Sequence, residues 1–363
     1  MGPGPVSAST LRPPAADQGL PADPGPLVVL AQYLVADDKG LLAIDESVGT
    51  CNKRFAPLGI PQDEPTRRAW RELILTTPGL GRAISGVILH EETIRQHTVD
   101  GVAFPTVAAE AGLVVGIKVD LGAKPMAGHP GERVTEGLDG LGARLEAYAG
   151  MGARFAKWRA VFTIGEQTPS RACVQANAHS LARYATLCQE AGLVPVVEPE
   201  VLMTGEHTLD RCEQVTEEVL HEVFDQLRTQ GVVLEALLLK PNMVLPGSEC
   251  RNDVSVDTVA AATLRCLRRA VPAAVAGVVF LSGGQSGDDA CARLAAMNSP
   301  SLDPPPWPVG FSFGRAIQQP ALSIWGGHHG AVASAQQSLL ARAVADRDAR
   351  RGLHAPATPP AQP

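Results

Sequence analysis

The sequence predicts an α/β protein folded as a single (β/α)8 (TIM) barrel. Short apolar, β-branched runs recur along the chain. Amphipathic helical stretches separate them, giving about eight strand–helix units at a spacing of roughly 30–45 residues. Several runs are apolar on both faces, as strands of a buried parallel sheet are. An open doubly wound sheet is the rival, but it would want a Gly-rich turn, and neither G-x-G-x-x-G nor the P-loop pattern occurs.

Bulk composition agrees. Of 363 residues, 45% are apolar and 19% charged, which suits a large core and excludes a wholly disordered or fibrous chain. The net charge of −7 is the wrong sign for a protein that grips nucleic acid non-specifically. No apolar run approaches the ~18 residues of a membrane span, so neither nucleic acid nor membrane is an expected partner.

Residues 1–26 are rich in Pro, Gly and Ala, without the basic head and apolar stretch of a secretory signal, and are expected to form a disordered arm. The barrel is expected over 27–345. Its strands are read at 41–46, 85–90, 113–120, 155–162, 193–200, 234–241, 277–284 and 309–315. Between the fifth and sixth, Val215, Val219, Leu220, Val223, Phe224 and Leu227 share one helical stripe that ends before Gly231. Leu181, Tyr184, Leu187, Cys188 and Ala191 form another, stopped by Gly192. A last helix is expected near 330–350, with residues 346–363 as a flexible tail. The seven cysteines are odd in number and contain no C-x-x-C, which suits a reducing compartment such as the cytoplasm. The nine histidines contain no H-E-x-x-H, so no metal or other cofactor is expected.

In a (β/α)8 barrel the active site lies at the C-terminal ends of the strands. Here those ends carry Asp45 and Glu46, Lys118 and Asp120, Lys157 and Arg159, Glu198 and Glu200, and Lys240. Lys and Glu are seldom buried without partners, so charges converging from several strands need a chemical reason or mutual pairing. Lys240 follows the apolar run ALLL. Desolvation and a nearby Lys157 disfavour its ammonium, and a neutral amine there could form an imine with a ketone or aldehyde. The alternative is pairing with Glu198 or Asp45. Glu198 and Glu200 share one face, so one could stay ionised while the other is raised towards neutrality and moves protons. Ser282-Gly283-Gly284 and Gly314-Arg315 close the seventh and eighth strands, where backbone N–H groups and a guanidinium fit a phosphate. Ser47, Thr50, Lys53, Arg54 and Lys118 could hold a second phosphate, or simply form a solvated loop.

The segments LAIDESVGT, GIKVD, GLDGL, FAKWR, VPVVEPE, LLLKPNMV, FLSGGQS and FSFGRAIQ, in this order, resemble the motif series of class I fructose-bisphosphate aldolases, the metal-independent Schiff-base type. The resemblance spans about 27–345. It implies reversible cleavage of fructose 1,6-bisphosphate to dihydroxyacetone phosphate and glyceraldehyde 3-phosphate, in glycolysis and gluconeogenesis. By motif position it implies Lys240 as the Schiff-base lysine and Glu198 as the general acid/base of imine formation. Asp45 would assist carbon–carbon cleavage, with Lys157 and Arg159 tuning charge and holding substrate and Glu200 in support. Ser282, Gly283, Gly314 and Arg315 would bind the phosphate of the dihydroxyacetone end. Ser47, Thr50 and Lys118, with Arg54 nearby, would face the opposite phosphate. A homotetramer and a phosphorylated sugar as partner are implied as well.

The sequence also departs from the family pattern. The chain given ends AQP, where eukaryotic members usually have a longer tail with a terminal tyrosine. Val48 and Thr50 replace the usual Thr and Ser, and His90 stands where an aromatic is usual. These departures are expected to alter the far-phosphate side or substrate breadth and to leave the reaction class unchanged. Two other readings use the same residues differently: a Schiff-base aldolase preferring sedoheptulose bisphosphate or fructose 1-phosphate, and a non-catalytic scaffold with partner-binding arms.

Overall fold

The computed structural model describes residues 25–251 and 253–353. The expected arm therefore lies outside the described residues up to position 24. Its last two positions already belong to a helix, α1 (Gly25–Leu34).

The chain then runs β1 (Gly40–Ile44), α2 (Val48–Phe55), α3 (Glu64–Leu75), β2 (Ile84–Leu89), α4 (Glu91–Ile94), α5 (Phe104–Glu110) and β3 (Val114–Lys118). A hairpin of β4 (Ala123–Pro125) and β5 (Arg133–Thr135) follows, then α6 (Leu141–Gly150), β6 (Phe155–Phe162), α7 (Arg171–Glu190), β7 (Val194–Val201) and α8 (Leu209–Thr229). The last part holds β8 (Leu238–Leu239), α9 (Val256–Ala270), β9 (Gly277–Phe280), α10 (Gly287–Met297), β10 (Val309–Phe313), α11 (Arg315–Trp325) and α12 (Val332–Ala349). Strands β1, β2, β3, β6, β7, β8, β9 and β10 pair in parallel and close into a barrel, as the sequence predicts.

Local chemistry sets these elements. Ser170, Thr208, Ser255 and Ser286 stand just before α7, α8, α9 and α10, and each accepts the backbone N–H three residues on. That satisfies a donor the helix leaves open. Strand β8 keeps only two residues because Pro241 has no N–H to continue the ladder. Lys240 still donates its N–H to Val197 O at 2.8 Å, so its position is fixed by the sheet. The hairpin and the short α4 and α5 were not expected; each is too brief to leave a periodic pattern.

Two apolar layers position the site. One lies between strands and surrounding helices, and takes the predicted α7 and α8 stripes. The other fills the lower barrel with Leu41, Ala43, Ile88, Val114, Phe155, Val194, Val196, Leu238 and Val279, and α1 closes it from below with Leu27, Leu30, Ala31 and Leu34. Gly116 is required here, because a Cβ at that position would meet the Phe155 ring at 2.3 Å. The tail boundary expected at 346 is corrected. Helix α12 runs to Ala349, Asp346 is fully buried, and Arg350 donates to Val309 O and Val35 O on the underside of the barrel. Backbone carbonyls waiting at the barrel floor explain why the chain stays ordered past 346.

Candidate active site

Alternation along each strand decides which side chains enter the barrel. Leu41 and Ala43 of β1 belong to the inner layer, and Asp45 continues their side. The same parity carries Val114 to Lys118, Phe155 to Lys157 and Arg159, Val194 and Val196 to Glu198 and Glu200, and Leu238 to Lys240. The lower turns of the strands are therefore an apolar plug, and the upper turns are a ring of charge resting on it. Every residue named above as a site candidate lines one cavity of about 1020 Å³ at that end.

At its base lies a chain of ion pairs. Lys157 Nζ is 2.7 Å from Asp45 Oδ2 and 3.1 Å from Glu198 Oε2, and Lys240 Nζ is 3.1 Å from Glu198 Oε1. Lys157, Glu198 and Lys240 are each under 5% exposed. The pairing alternative for Lys240 is thus the one the structure adopts. Burial alone would raise the Asp45 carboxyl, but Lys157, Lys240 and Lys118 overcome it and hold it well below the usual carboxylate range. Glu198 behaves likewise: burial raises it, and Lys157, Lys240 and Arg159 bring it down. Burial would also lower the Lys157 ammonium, yet Asp45, Glu198 and Asp120 hold it well above the ordinary lysine value. The expectation that one acid of the Glu198–Glu200 pair is lifted towards neutrality is corrected for Glu198 by this excess of nearby cations. Glu200 accepts from Arg159 Nε.

The SGG turn and the start of α11 face this base. Gly283 and Gly284 have φ of +57° and +89°, a backbone that other residues adopt at a cost. Gly314 is the N-cap residue of α11, so that helix presents open N–H groups beside the exposed Arg315. Among the described residues Arg315 enters no ion pair, which leaves its planar fork open to an anion.

The opposite rim is more committed than the sequence suggests. Arg54 is ion-paired with Glu46 and donates to Gln318 Oε1 at 2.9 Å. Glu46 also takes Arg71 at 2.9 Å, and Gln318 donates to Ala43 O and Glu46 Oε1. Ser47 Oγ accepts from Thr50 N at the start of α2, and Lys118 Nζ is 2.7 Å from Asp120 Oδ1. Glu46 and Asp120 line the wall, and Arg71 and Gln318 hold Glu46 from behind; all four stand outside the predicted set. Glu46 and Asp120 were visible at strand ends. Arg71 and Gln318 sit in α3 and α11 and leave no strand-end signal. Among the described residues no group of three or more His, Cys, Asp or Glu is arranged to hold a metal ion.

Comparison with known proteins gives consistent likenesses. A family model described as fructose-bisphosphate aldolase class-I matches residues 26–362. A probable fructose-bisphosphate aldolase class 1 of Xylella fastidiosa (strain 9a5c) is 56% identical over 318 residues, covering 87% of this chain and 95% of that protein. The cytosolic fructose-bisphosphate aldolase 4 of Arabidopsis thaliana is 50% identical over 326 residues, covering 90% of this chain and 83% of its own. Among solved structures, a fructose-bisphosphate aldolase from Plasmodium falciparum, in complex with TRAP and a small-molecule inhibitor, superposes with a TM-score of 0.90. It is 44% identical and covers 94% of this chain and 98% of its own.

Proposed function

The chain belongs to the class I fructose-bisphosphate aldolase family and is a carbon–carbon lyase, and we propose that it works through an imine on Lys240. The observation that carries this reading is the buried Lys157–Glu198–Lys240 chain with Asp45 at its end. Passing one proton from the Lys240 ammonium to Glu198 across 3.1 Å yields both groups that imine formation needs, a free amine and a protonated acid.

The amine then adds to the keto carbon of fructose 1,6-bisphosphate. The carbinolamine loses water, with Glu198 giving its proton to the leaving hydroxyl. The protonated imine is an electron sink. Asp45, kept ionised by Lys157, takes the proton of the hydroxyl on the far carbon of the bond that breaks, the carbon that becomes the aldehyde. The electron pair of that bond moves into the imine as an enamine, and glyceraldehyde 3-phosphate departs. Protonation of the enamine carbon and hydrolysis release dihydroxyacetone phosphate and restore Lys240. Arg315, Ser282, Gly283 and the α11 N-terminus hold the phosphate of the dihydroxyacetone half. Ser47, Thr50 and Lys118 face the other, and Arg54 joins them by leaving Glu46. Glu200 keeps Arg159 in place.

A cytoplasmic homotetramer acting in glycolysis and gluconeogenesis is part of the same reading. The unpaired cysteines, six of the seven buried, and the cytosolic plant relatives support the compartment, and sedimentation tests the assembly. The test of function is turnover of fructose 1,6-bisphosphate, fructose 1-phosphate and sedoheptulose bisphosphate by the purified chain, with and without EDTA. Fastest cleavage of fructose 1,6-bisphosphate, unchanged by chelation, is expected. Activity lost in EDTA and restored by zinc contradicts the lysine-based reading.

A further inference from the structure

Between Asp45 and Lys118 the cavity wall carries a side chain that the reaction above leaves without a task. His90 follows β2, continues the inward side of Ile88, and lines the cavity. Its Nδ1 accepts the backbone N–H of Glu92 at 3.2 Å, at the start of α4. A ring nitrogen that accepts carries no proton, so the neutral imidazole has its proton on Nε2. The surroundings favour that neutral form. Burial acts first, then Lys118 on β3, with Arg71 on α3 in the same sense; Asp45 beyond β1 and Glu92 on α4 oppose them, and the net direction is below the usual histidine value. His90 is therefore a donor whose tautomer and tilt are set by the backbone of its own loop.

We propose that His90 Nε2–H donates a hydrogen bond to a hydroxyl oxygen in the aldehyde half of the phosphorylated ketose, between the bond that breaks and the far phosphate. The inference rests on the aldolase reading, which puts the proton acceptor Asp45 at the breaking bond and Lys118 towards the far phosphate. A side chain within electrostatic reach of both meets the carbon chain that joins them. Such a donor makes the site selective for aldehydes that carry a hydroxyl there, because an analogue lacking it leaves a half-buried N–H without its partner.

The synthetic direction separates the two halves of the substrate. His90→Asn keeps a short acceptor for the Glu92 N–H but loses the reach into the cavity; His90→Gln restores an N–H near the Nε2 position. Loss of one neutral hydrogen bond should raise the KM for glyceraldehyde 3-phosphate about 3–10-fold in His90→Asn, with the KM for dihydroxyacetone phosphate changed less than about twofold. His90→Gln should recover most of the loss. Both KM values rising together would show a merely structural role and overturn the proposal, as would no change in either. Borohydride trapping of the dihydroxyacetone phosphate imine is run on the same proteins. An imine with an unmoved aldehyde KM overturns the role of His90 alone; a wild-type chain that forms no imine overturns the Lys240 reading and this inference with it.

Discussion

Replacing Lys157 by Met removes the one cation that, among the described residues, pairs with both Asp45 and Glu198, while keeping the length of the side chain. Lys157 is the first of the charges that overcome burial at each of these carboxylates. At an effective dielectric near 20, charges about 4 Å apart attract by about 4 kcal/mol. Two such contacts are lost, and the desolvation of the ammonium is regained. Breaking a buried pair in this way destabilises a protein by roughly 3–5 kcal/mol. The sign with pH follows from the direction of the shifts. In the native chain both carboxylates are held low, so their contribution is present above the unfolded value near pH 4 and lost in acid. In Lys157→Met they rise, so the deficit is largest at pH 7–8 and shrinks as acid protonates them. Urea denaturation from pH 4 to 8 reads this directly. The acid limb of kcat/KM should also move up by at least about one pH unit, since each unit is worth only about 1.4 kcal/mol. A deficit below about 1 kcal/mol, or one that does not vary with pH, together with an unmoved acid limb, would refute the reasoning.

Two further changes probe other parts of the molecule. Asp346 is fully buried, neither carboxylate oxygen has a hydrogen-bond partner, and burial pushes its pKa to about 7 despite Arg342. Its stabilising share is complete below about pH 3.8 and is lost as pH rises to about 7, so Asp346→Asn should flatten stability across that window and gain up to roughly 4 kcal/mol at pH 8; thermal melts at several pH values check it, and an unchanged pH slope contradicts it. Arg315→Ala removes a charged hydrogen-bonding fork worth roughly 1.5–3 kcal/mol, so the KM for dihydroxyacetone phosphate in the synthetic direction should rise about 10–100-fold. An effect confined to the aldehyde would place Arg315 on the wrong half of the substrate.

The barrel was legible because its signal is repeated: each strand is a compact apolar run, and the helices between them carry apolar stripes, four of them, α7 to α10, behind a hydroxyl cap. The base of the site was legible for the same reason. Alternation from Leu41, Phe155, Val194 and Leu238 leads to Asp45, Lys157, Glu198 and Lys240 without knowledge of any contact. Pairing was harder, since it depends on side chains meeting across the barrel. The sequence allowed a neutral Lys240 and a lifted glutamate; the geometry instead joins Lys240 to Glu198, and the cations around Glu198 hold it down. Arg54 shows the same limit. Its place at the rim was readable, but its bonds to Glu46 and Gln318 connect residues on either side of the chain's closure at β1 and β10. The tail boundary missed because Arg350 is held by carbonyls at 35 and 309, far away in sequence.

The account depends most on a bond between the Lys240 nitrogen and the substrate's keto carbon. Incubating the active chain with dihydroxyacetone phosphate, reducing with borohydride and mapping the peptides by mass spectrometry measures that bond. A single reduced adduct on the peptide containing Lys240, with activity lost in proportion to labelling, is the predicted result. An adduct on another lysine, or an active enzyme that traps nothing, would contradict it.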